Sequence, residues 1–511
     1  MKEKPNYSIR FWVYATGFCF LWGLLPTLFH SAYRMDVVEL QIVSKEWVLS
    51  TAKHPMLPAW ILEVVNLMTG DSFAAPFIAA QLCVLLTLWS VWSFAKTVLS
   101  PKLAFYAFVS ILPYWYFTVR SSNYNQNIVL LPLWALTIWW SFEALRTNHW
   151  RYWCGVGFVV GAAFYAKYTI VFLIFPILLY SVWAPQVRQR WGSLKPYTAI
   201  AVALLVMLPD LIWLYRHDFV CFSYVKKQVV EQANLNFLTQ FEVIIVFVLA
   251  QAYYILPMII VLWPLLGRPW KRKKKPDERE IQAGTYLSVV IGLPFLLHLL
   301  IGMIPGTRLY EAWGSVLWPF LGVWLLLRFQ VDESKARESR SIQFLFLIKT
   351  CLILIFVYQS LLTSLFLNKP HPTSFPMREL GVAADQIWGE YSKGPCPFTT
   401  GDWYIAGKAA IMMKDRPRVL FYWTGMEKRN APLTGLWASD ADVNEKGGLV
   451  FWELLQKDFS EVPEISDEDV PDYVLRRFPN AMVQPKPIVL PYKINAKIPP
   501  VQIGVAVVPP P

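Results

Sequence analysis

The sequence predicts an all-α polytopic membrane protein of about eleven transmembrane helices, followed by a small external α/β domain. Three observations predict it. Hydrophobic residues make up 56% of the 511 and the mean hydropathy is +0.38, too little polar surface for a soluble chain of this length. Apolar runs of bilayer-crossing length recur from residue 11 to residue 367. At Asn368 the texture changes to short helical and strand-like patterns.

The expected spans are 11–29, 73–95, 103–119, 128–145, 152–166, 169–184, 197–215, 241–266, 283–304, 312–328 and 343–367, each roughly 17–25 residues as a bilayer core requires. Lys167 interrupts the pair 152–166 and 169–184, which suits a bent hairpin. Aromatic residues are 16% of the chain, and many Trp and Tyr fall near span ends, where amphipathic rings favour the interface. Residues 1–367 form the transmembrane domain. Lys369 to Pro376 is a proline-rich linker. Beyond it, helices are expected at 377–392 and 403–414. Strands are expected at 397–400, 419–422, 449–452 and 503–508, so 368–511 is a domain large enough for its own core.

Lys2, Lys4 and Arg10 precede the first span, Arg188 and Arg190 follow the sixth, Lys271–Lys275 the eighth, and Arg328–Arg340 the tenth. With an odd span count these fall on one side, the cytoplasmic one by the positive-inside rule. The N-terminus is then inside and the C-terminal domain outside, periplasmic in a bacterial inner membrane. The +12 net charge is mostly this topology signal. No stacking motif accompanies the basic run, which argues against nucleic acid as a partner. The first apolar run is too long for a cleaved signal peptide. Cys19, Cys83, Cys154 and Cys351 lie in apolar spans as small core residues; Cys221 and Cys396 are expected outside, and whether they pair is open. No metal-ligand spacing, GxGxxG or P-loop is present.

Placed on this topology, the polar outliers collect on one face. Asp36, Glu39, Lys53 and His54 lie in the first outer loop. Arg120, Asn123, Asn125 and Asn127 lie at the mouth of spans three and four, and Lys167 at the hairpin tip. Arg216, His217 and Asp218 follow span seven, and Arg308 and Glu311 precede span ten. A transporter would instead place such groups near the bilayer midplane. These residue types suit glycosyl transfer from a lipid phosphate. A cation near the departing phosphate stabilises charge that grows in the transition state, and a carboxylate near the acceptor takes its proton. Asp36 and Glu39, three apart, share one face of a helix.

Each residue also has a plainer reading. The two acids could cap a juxtamembrane helix, Lys53, His54 and Lys167 could be interfacial, and Glu46 and Trp47 are structural. His217 and Asp218 could be a hydrogen-bonded cap, Arg308 an anchor, and the Asn cluster a helix start, with Asn125 the best candidate for a ligand contact.

The segment Asp36–Trp60 resembles the first external loop of the GT-C glycosyltransferases of the protein-mannosyltransferase and aminoarabinose-transferase-like group (families 39 and 83). There an acidic motif is followed by Trp and then a charged pair before Pro-Pro-Leu. This chain has Lys53-His54-Pro55, then Met56 in place of the second proline. Asn123 to Trp134, Ala166 to Thr169 and Pro209 to Phe219 resemble later family segments, in chain order. The resemblance covers roughly 10–330, while 368–511 matches only loosely, through Thr400-Gly-Asp-Trp403 and Asp415 to Val419. It implies a GT-C fold and transfer of a hexosyl or pentosyl group from a polyprenyl-phosphate donor. The acceptor would be lipid A, lipopolysaccharide core or another envelope glycan. Asp36 and Glu39 would be catalytic; Lys53, His54, Asn125, Lys167, His217, Asp218 and Arg308 would bind substrate or phosphate. No cofactor is required by the resemblance, and a divalent cation is left open. A multipass transporter or lipid flippase, and a non-catalytic membrane scaffold, are the competing readings.

Overall fold

The computed structural model describes residues 6–226, 237–266, 270–304, 307–420, 437–454, 464–495 and 497–510. The chain divides into two compact units. One comprises residues 1–25, 49–58 and 74–353; the other comprises 26–48, 59–73 and 354–511.

Among the described residues, 7 helices are long and apolar enough to cross a membrane: Tyr7–Phe29, Ala75–Val98, Gln126–Thr147, Lys195–Arg216, Leu238–Leu266, Glu278–Gly302 and Lys335–Leu367. An eighth span arises if Tyr168–Trp183 and Pro185–Gly192, bent by 90°, count as one. Pro132, Pro209, Pro257 and Pro294 lie inside these helices. Membrane helices tolerate this because neighbouring groups re-satisfy the freed backbone.

In the first unit, Ala75–Val98, Gln126–Thr147, Trp150–Ala166 and Lys195–Arg216 pack each against the next. Gly161 permits the close approach of the last pair: a β-carbon there would lie 2.6 Å from Val206 Cβ. Small residues are what let backbones meet in lipid, where no hydrophobic force separates helix from tail.

Two expected spans are not continuous helices. Of 103–119, only Pro101–Ile111 is α-helical, and two 3₁₀ turns follow, Trp115–Phe117 and Val119–Ser122. Pro113 accounts for the break, since it disfavours α geometry at the preceding residue and lacks a donor. Of 312–328, Glu311–Val316 is a 3₁₀ turn and Leu321–Arg328 a short helix. Pro319 breaks it for the same reason. The segment between the first two membrane-length helices, in contrast, holds two helices, Met35–Ser44 and the apolar Leu57–Thr69. The latter's 13 residues are too few to span a bilayer.

The second unit carries a sheet. Its strands are β1 (Phe398–Gly401), β2 (Arg418–Val419), β3 (Gly448–Glu453), β4 (Met482–Val483), β5 (Ile488–Leu490) and β6 (Val501–Val508). Their order is β2-β1-β3-β6-β4, with β5 also paired to β6. β1 runs parallel to β2 and β3, and β6 is antiparallel to β3. β6 is central and almost wholly buried, as its β-branched run requires. Phe398, Val443, Val450, Trp452, Phe478 and Ala506 form a core on the sheet. Of the strand expected at 419–422, residues 421–422 lie outside the described residues. Helices Met377–Tyr391 and Trp403–Met412 pack together. Asp402 caps the second, its Oδ1 accepting from the amides of Tyr404 and Ile405 at 2.9 and 3.0 Å. The same unit holds Ser31 and Ala32, whose amides donate to the Thr373 carbonyl.

Candidate active site

In the first unit, the loop 49–58 is fixed by its own polar atoms. Thr51 Oγ1 accepts from the amides of Lys53 and His54 at 3.3 and 3.2 Å, and the Thr51 amide donates to the His54 carbonyl at 3.0 Å. This hydroxyl-centred turn is the local reason Lys53 and His54 hold their positions. Ser50 and Pro55 form an isolated antiparallel bridge. Cys221 Sγ donates to the Thr51 carbonyl at 3.0 Å, and the Tyr124 hydroxyl donates to the Pro58 carbonyl at 2.8 Å. Cys221 and Cys396 are both free thiols.

His54 is half-buried. Burial, then the positive charges of Lys53 and Lys167, push its pKa well below the usual histidine value. Lys167, distant in sequence, and the neighbouring Lys53 therefore both lie within electrostatic reach of His54. Lys167 ends the helix Trp150–Ala166, and its Nζ donates to Asn127 Oδ1 at 2.7 Å. Asn125 Oδ1 caps the helix Gln126–Thr147, accepting from the amides of Asn127 and Ile128 at 3.0 and 3.3 Å. The Asn run therefore divides its work: Asn125 starts the helix and Asn127 holds Lys167.

The remaining candidates of this unit make local contacts. The His217 ring stacks on Trp213 at 4.1 Å, with Nδ1 2.8 Å from the Trp213 carbonyl. Asp218, with φ at +50°, lies in the turn that closes the helix Lys195–Arg216. Arg308 is exposed, 5.9 Å from the Tyr310 ring. Arg120 pairs with Glu311 at 2.5 Å.

One acid was not singled out from sequence. Asp210 is fully buried within a membrane-spanning helix. Its Oδ2 accepts from the Tyr168 hydroxyl at 2.9 Å, and that hydroxyl is 3.2 Å from Ser50 Oγ. Its Oδ1 is buried without a hydrogen-bond partner among the described residues. The available signal was an acid inside an apolar span, which is expensive to keep and marks function by default.

In the second unit, Asp36 is half-buried in the first turn of Met35–Ser44, and Glu39 is buried one turn on. A carboxylate in a first turn also meets the helix dipole favourably. Burial, together with the negative charges of Asp36 and Asp402 and against the pull of Arg34, pushes the Tyr404 hydroxyl up to about 12. Tyr404 therefore lies within electrostatic reach of Asp36.

Nearby helices of this unit are joined by opposite charges. Glu63 Oε2 accepts from Ser44 Oγ at 2.5 Å, Asn66 Nδ2 at 3.1 Å and Arg416 Nη2 at 3.2 Å. Burial raises the Glu63 pKa, but these donors outweigh it and hold it below the usual range. Arg416 also pairs with Asp71, and Arg418 forks onto Glu46, its Nε lying 3.0 and 3.1 Å from the two oxygens. Lys408 is buried between the rings of Phe375 and Tyr404, 3.7 and 3.8 Å from their centres. Desolvation lowers its pKa to about 7. Sequence reasoning missed Glu63 and Lys408, which carry no motif, and did not single out Arg416 within the Asp415–Val419 segment.

The comparisons with known proteins bear on this arrangement. Residues 53–213 match the family model described as dolichyl-phosphate-mannose-protein mannosyltransferase. The solved structure of ArnT from Cupriavidus metallidurans bound to undecaprenyl phosphate aligns over 99% of each chain, with TM-score 0.60 and 12% identity. The apo form of the same protein aligns over 99% of this chain and 100% of its own, with TM-score 0.61 and 11% identity. No curated protein sequence matches the chain. The chain has a GT-C fold, like that of ArnT. The matched GT-C stretch begins at Lys53 and takes in Asn125, Asn127, Lys167 and Asp210.

Proposed function

We propose that this chain is a membrane glycosyltransferase that moves a hexosyl or pentosyl group from a polyprenyl-phosphate donor to an envelope lipid or glycan. The reaction takes place on the outer face of a bacterial inner membrane. The observation that carries the reading is the contact between the loop bearing Lys53 and His54 and the turn bearing Lys167, where Ser50 Oγ lies 3.2 Å from the Tyr168 hydroxyl; burial first, then both lysines, lower the His54 pKa. Like charges brought together repel, and an anion such as a lipid phosphate relieves that repulsion. That ArnT was solved with undecaprenyl phosphate supports a polyprenyl donor.

In the proposed step the bond between the anomeric carbon and the phosphate oxygen breaks, and the electron pair leaves with the phosphate. Lys53 and Lys167 stabilise the charge that develops there. His54, kept neutral by its surroundings, donates a hydrogen bond to a phosphate oxygen. The acceptor oxygen forms the new bond to the anomeric carbon, and its proton passes to a carboxylate, for which Asp36 is our first assignment. Asn125 positions the Asn127–Lys167 pair by starting its helix. Glu39, His217, Asp218 and Arg308 are assigned no step. Asp210 is the second assignment for the carboxylate, because Tyr168 and Ser50 link it to the loop carrying Lys53 and His54. The N-terminus is inside and the C-terminal region outside, from the one-sided distribution of Lys and Arg.

The test is a transfer assay with purified protein, a polyprenyl-phosphate sugar and envelope lipid extract, read by mass spectrometry of the lipids. The expected result is a glycosylated lipid with release of polyprenyl phosphate in equal amount. Sugar-phosphate that crosses a vesicle membrane intact, with no product, would show a flippase instead.

A further inference from the structure

The basic run Lys271–Lys275 does more than mark topology. Its backbone is built into the first unit: the Lys273 amide donates to the Arg328 carbonyl at 3.0 Å, the Gln330 amide to the Lys271 carbonyl at 2.8 Å, and Gln330 Nε2 to the Arg272 carbonyl at 3.1 Å. Arg272 and Phe329 form an isolated bridge. The run is thus held against the end of the helix Leu321–Arg328 at the head of the span Glu278–Gly302.

Beside it lies a cavity of about 340 Å³ lined by Arg272, Lys273 and Arg328, with Glu280, Ser288 and Trp324. Three cations face one carboxylate, and that carboxylate already pairs with Lys273. Ser288 Oγ accepts from Arg328 Nη2 at 2.9 Å and from Trp324 Nε1 at 2.8 Å, which aims both side chains. Exposed Lys271, Lys274 and Lys275 add positive charge around the run. Trp270 packs on Trp263 and Phe329 with ring centres 5.5 and 5.4 Å apart, a Trp-rich cluster suited to headgroup depth.

We propose that this cavity binds the phosphate headgroup of an anionic glycerophospholipid of the surrounding membrane. A basic pocket between membrane helices at the interface is the arrangement that recognises such headgroups, and guanidinium groups suit phosphate oxygens geometrically. The site is separate from the Lys53–His54–Lys167 cluster and does not depend on the sugar-transfer reading.

The test uses the full chain in nanodiscs or neutral detergent, with native mass spectrometry and melting temperature as readouts. Wild type should retain phosphatidylglycerol over phosphatidylcholine. R272Q/R328Q removes the two guanidinium groups that line the cavity and should weaken that retention roughly tenfold or more. K274Q/K275Q removes the same charge outside the cavity and should retain the lipid. Equal retention of the two lipids by wild type overturns the proposal, as does equal loss in both double variants. If inorganic phosphate at millimolar concentration displaces the lipid and raises the melting temperature alone, the site is for a soluble anion and the lipid assignment fails. R272Q by itself, at an exposed position, carries the test if R328Q does not fold.

Discussion

Two groups of charged residues, one in each compact unit, are built in opposite ways. In the first, Lys53, His54 and Lys167 bring like charges into mutual reach, and the histidine is held neutral as a result. In the second, Glu63, Arg416 and Asp71 bring opposite charges together, and Arg418 does the same with Glu46. Opposite charges that neutralise one another serve the fold, because breaking such a buried set leaves an uncompensated ion. Like charges held together suit a ligand of the other sign, which is the role proposed for the first group. The difference separates residues that bind from residues that build, without reference to conservation.

The largest expected effect is at Asp36, which would sharpen the comparison by placing one functional group in the second unit. Asp36→Asn removes charge and basicity at nearly constant size. Turnover should fall ~10²–10⁴-fold, the contribution of a general base, with expression and melting temperature nearly unchanged. Near-normal turnover would transfer the role to Asp210, and Asp210→Asn is the companion measurement.

Lys167→Gln comes next. Removing one stabiliser of the departing phosphate should lower kcat by ~10²–10³-fold, as loss of one oxyanion donor does. Melting temperature should hold or rise, since a like charge is relieved beside His54. A stability loss matching the activity loss would make Lys167 a structural residue, positioned by Asn127 for packing alone, and would break the comparison.

Arg416→Ala tests the other side. It leaves the buried Glu63 carboxylate without its guanidinium partner, and removing one member of a buried pair costs about 3–5 kcal/mol. The measurement is the unfolding midpoint in denaturant. The substitution of both partners, Arg416→Met with Glu63→Gln, should recover much of the loss, because the penalty lies in the orphaned charge and not in the missing attraction. An unchanged midpoint in Arg416→Ala would mean that Ser44 and Asn66 alone satisfy Glu63.

How much of this was legible from sequence follows from the range of the forces involved. Among the described residues, apolar runs gave 7 long helices at their expected places, because hydropathy over a bilayer thickness is a local sum. The spans at 103–119 and 312–328 failed at Pro113 and Pro319, where backbone geometry overrides apolarity. The C-terminal strands at 398–401, 448–453 and 501–508 were visible as β-branched, buried runs. The pairing of β3 with β6 was not, since it joins residues far apart in the chain. Lys53, His54 and Lys167 were candidates because a polar group beside an apolar span stands out. Asp210 sat inside a quoted motif and was passed over for its neighbours His217 and Asp218. Arg416 lay within the Asp415–Val419 segment without standing out there, and Lys408 lies in a region of ordinary polarity, where one more cation carries no signal.

The smallest effect is a pH dependence, and it isolates the like-charge cluster from everything else. The folded-state pKa of His54 is depressed below its unfolded value, near 6.5. Below that value the unfolded chain binds a proton that the folded one refuses, so stability falls as pH drops from about 6.5 towards the folded pKa. Lys53→Gln removes one of the two charges responsible, so the folded pKa should rise and the acid-side loss shrink. The melting temperature of Lys53→Gln should therefore decline less than wild type between pH 7.5 and 5. In a His54→Gln background, Lys53→Gln should have no such effect, because the titrating group is gone; the double-mutant cycle measures the coupling directly. Identical pH slopes for wild type and Lys53→Gln would mean that burial alone depresses His54. The lysines would then lie too far away to hold one phosphate between them, and the contrast between the two units would lose its binding half.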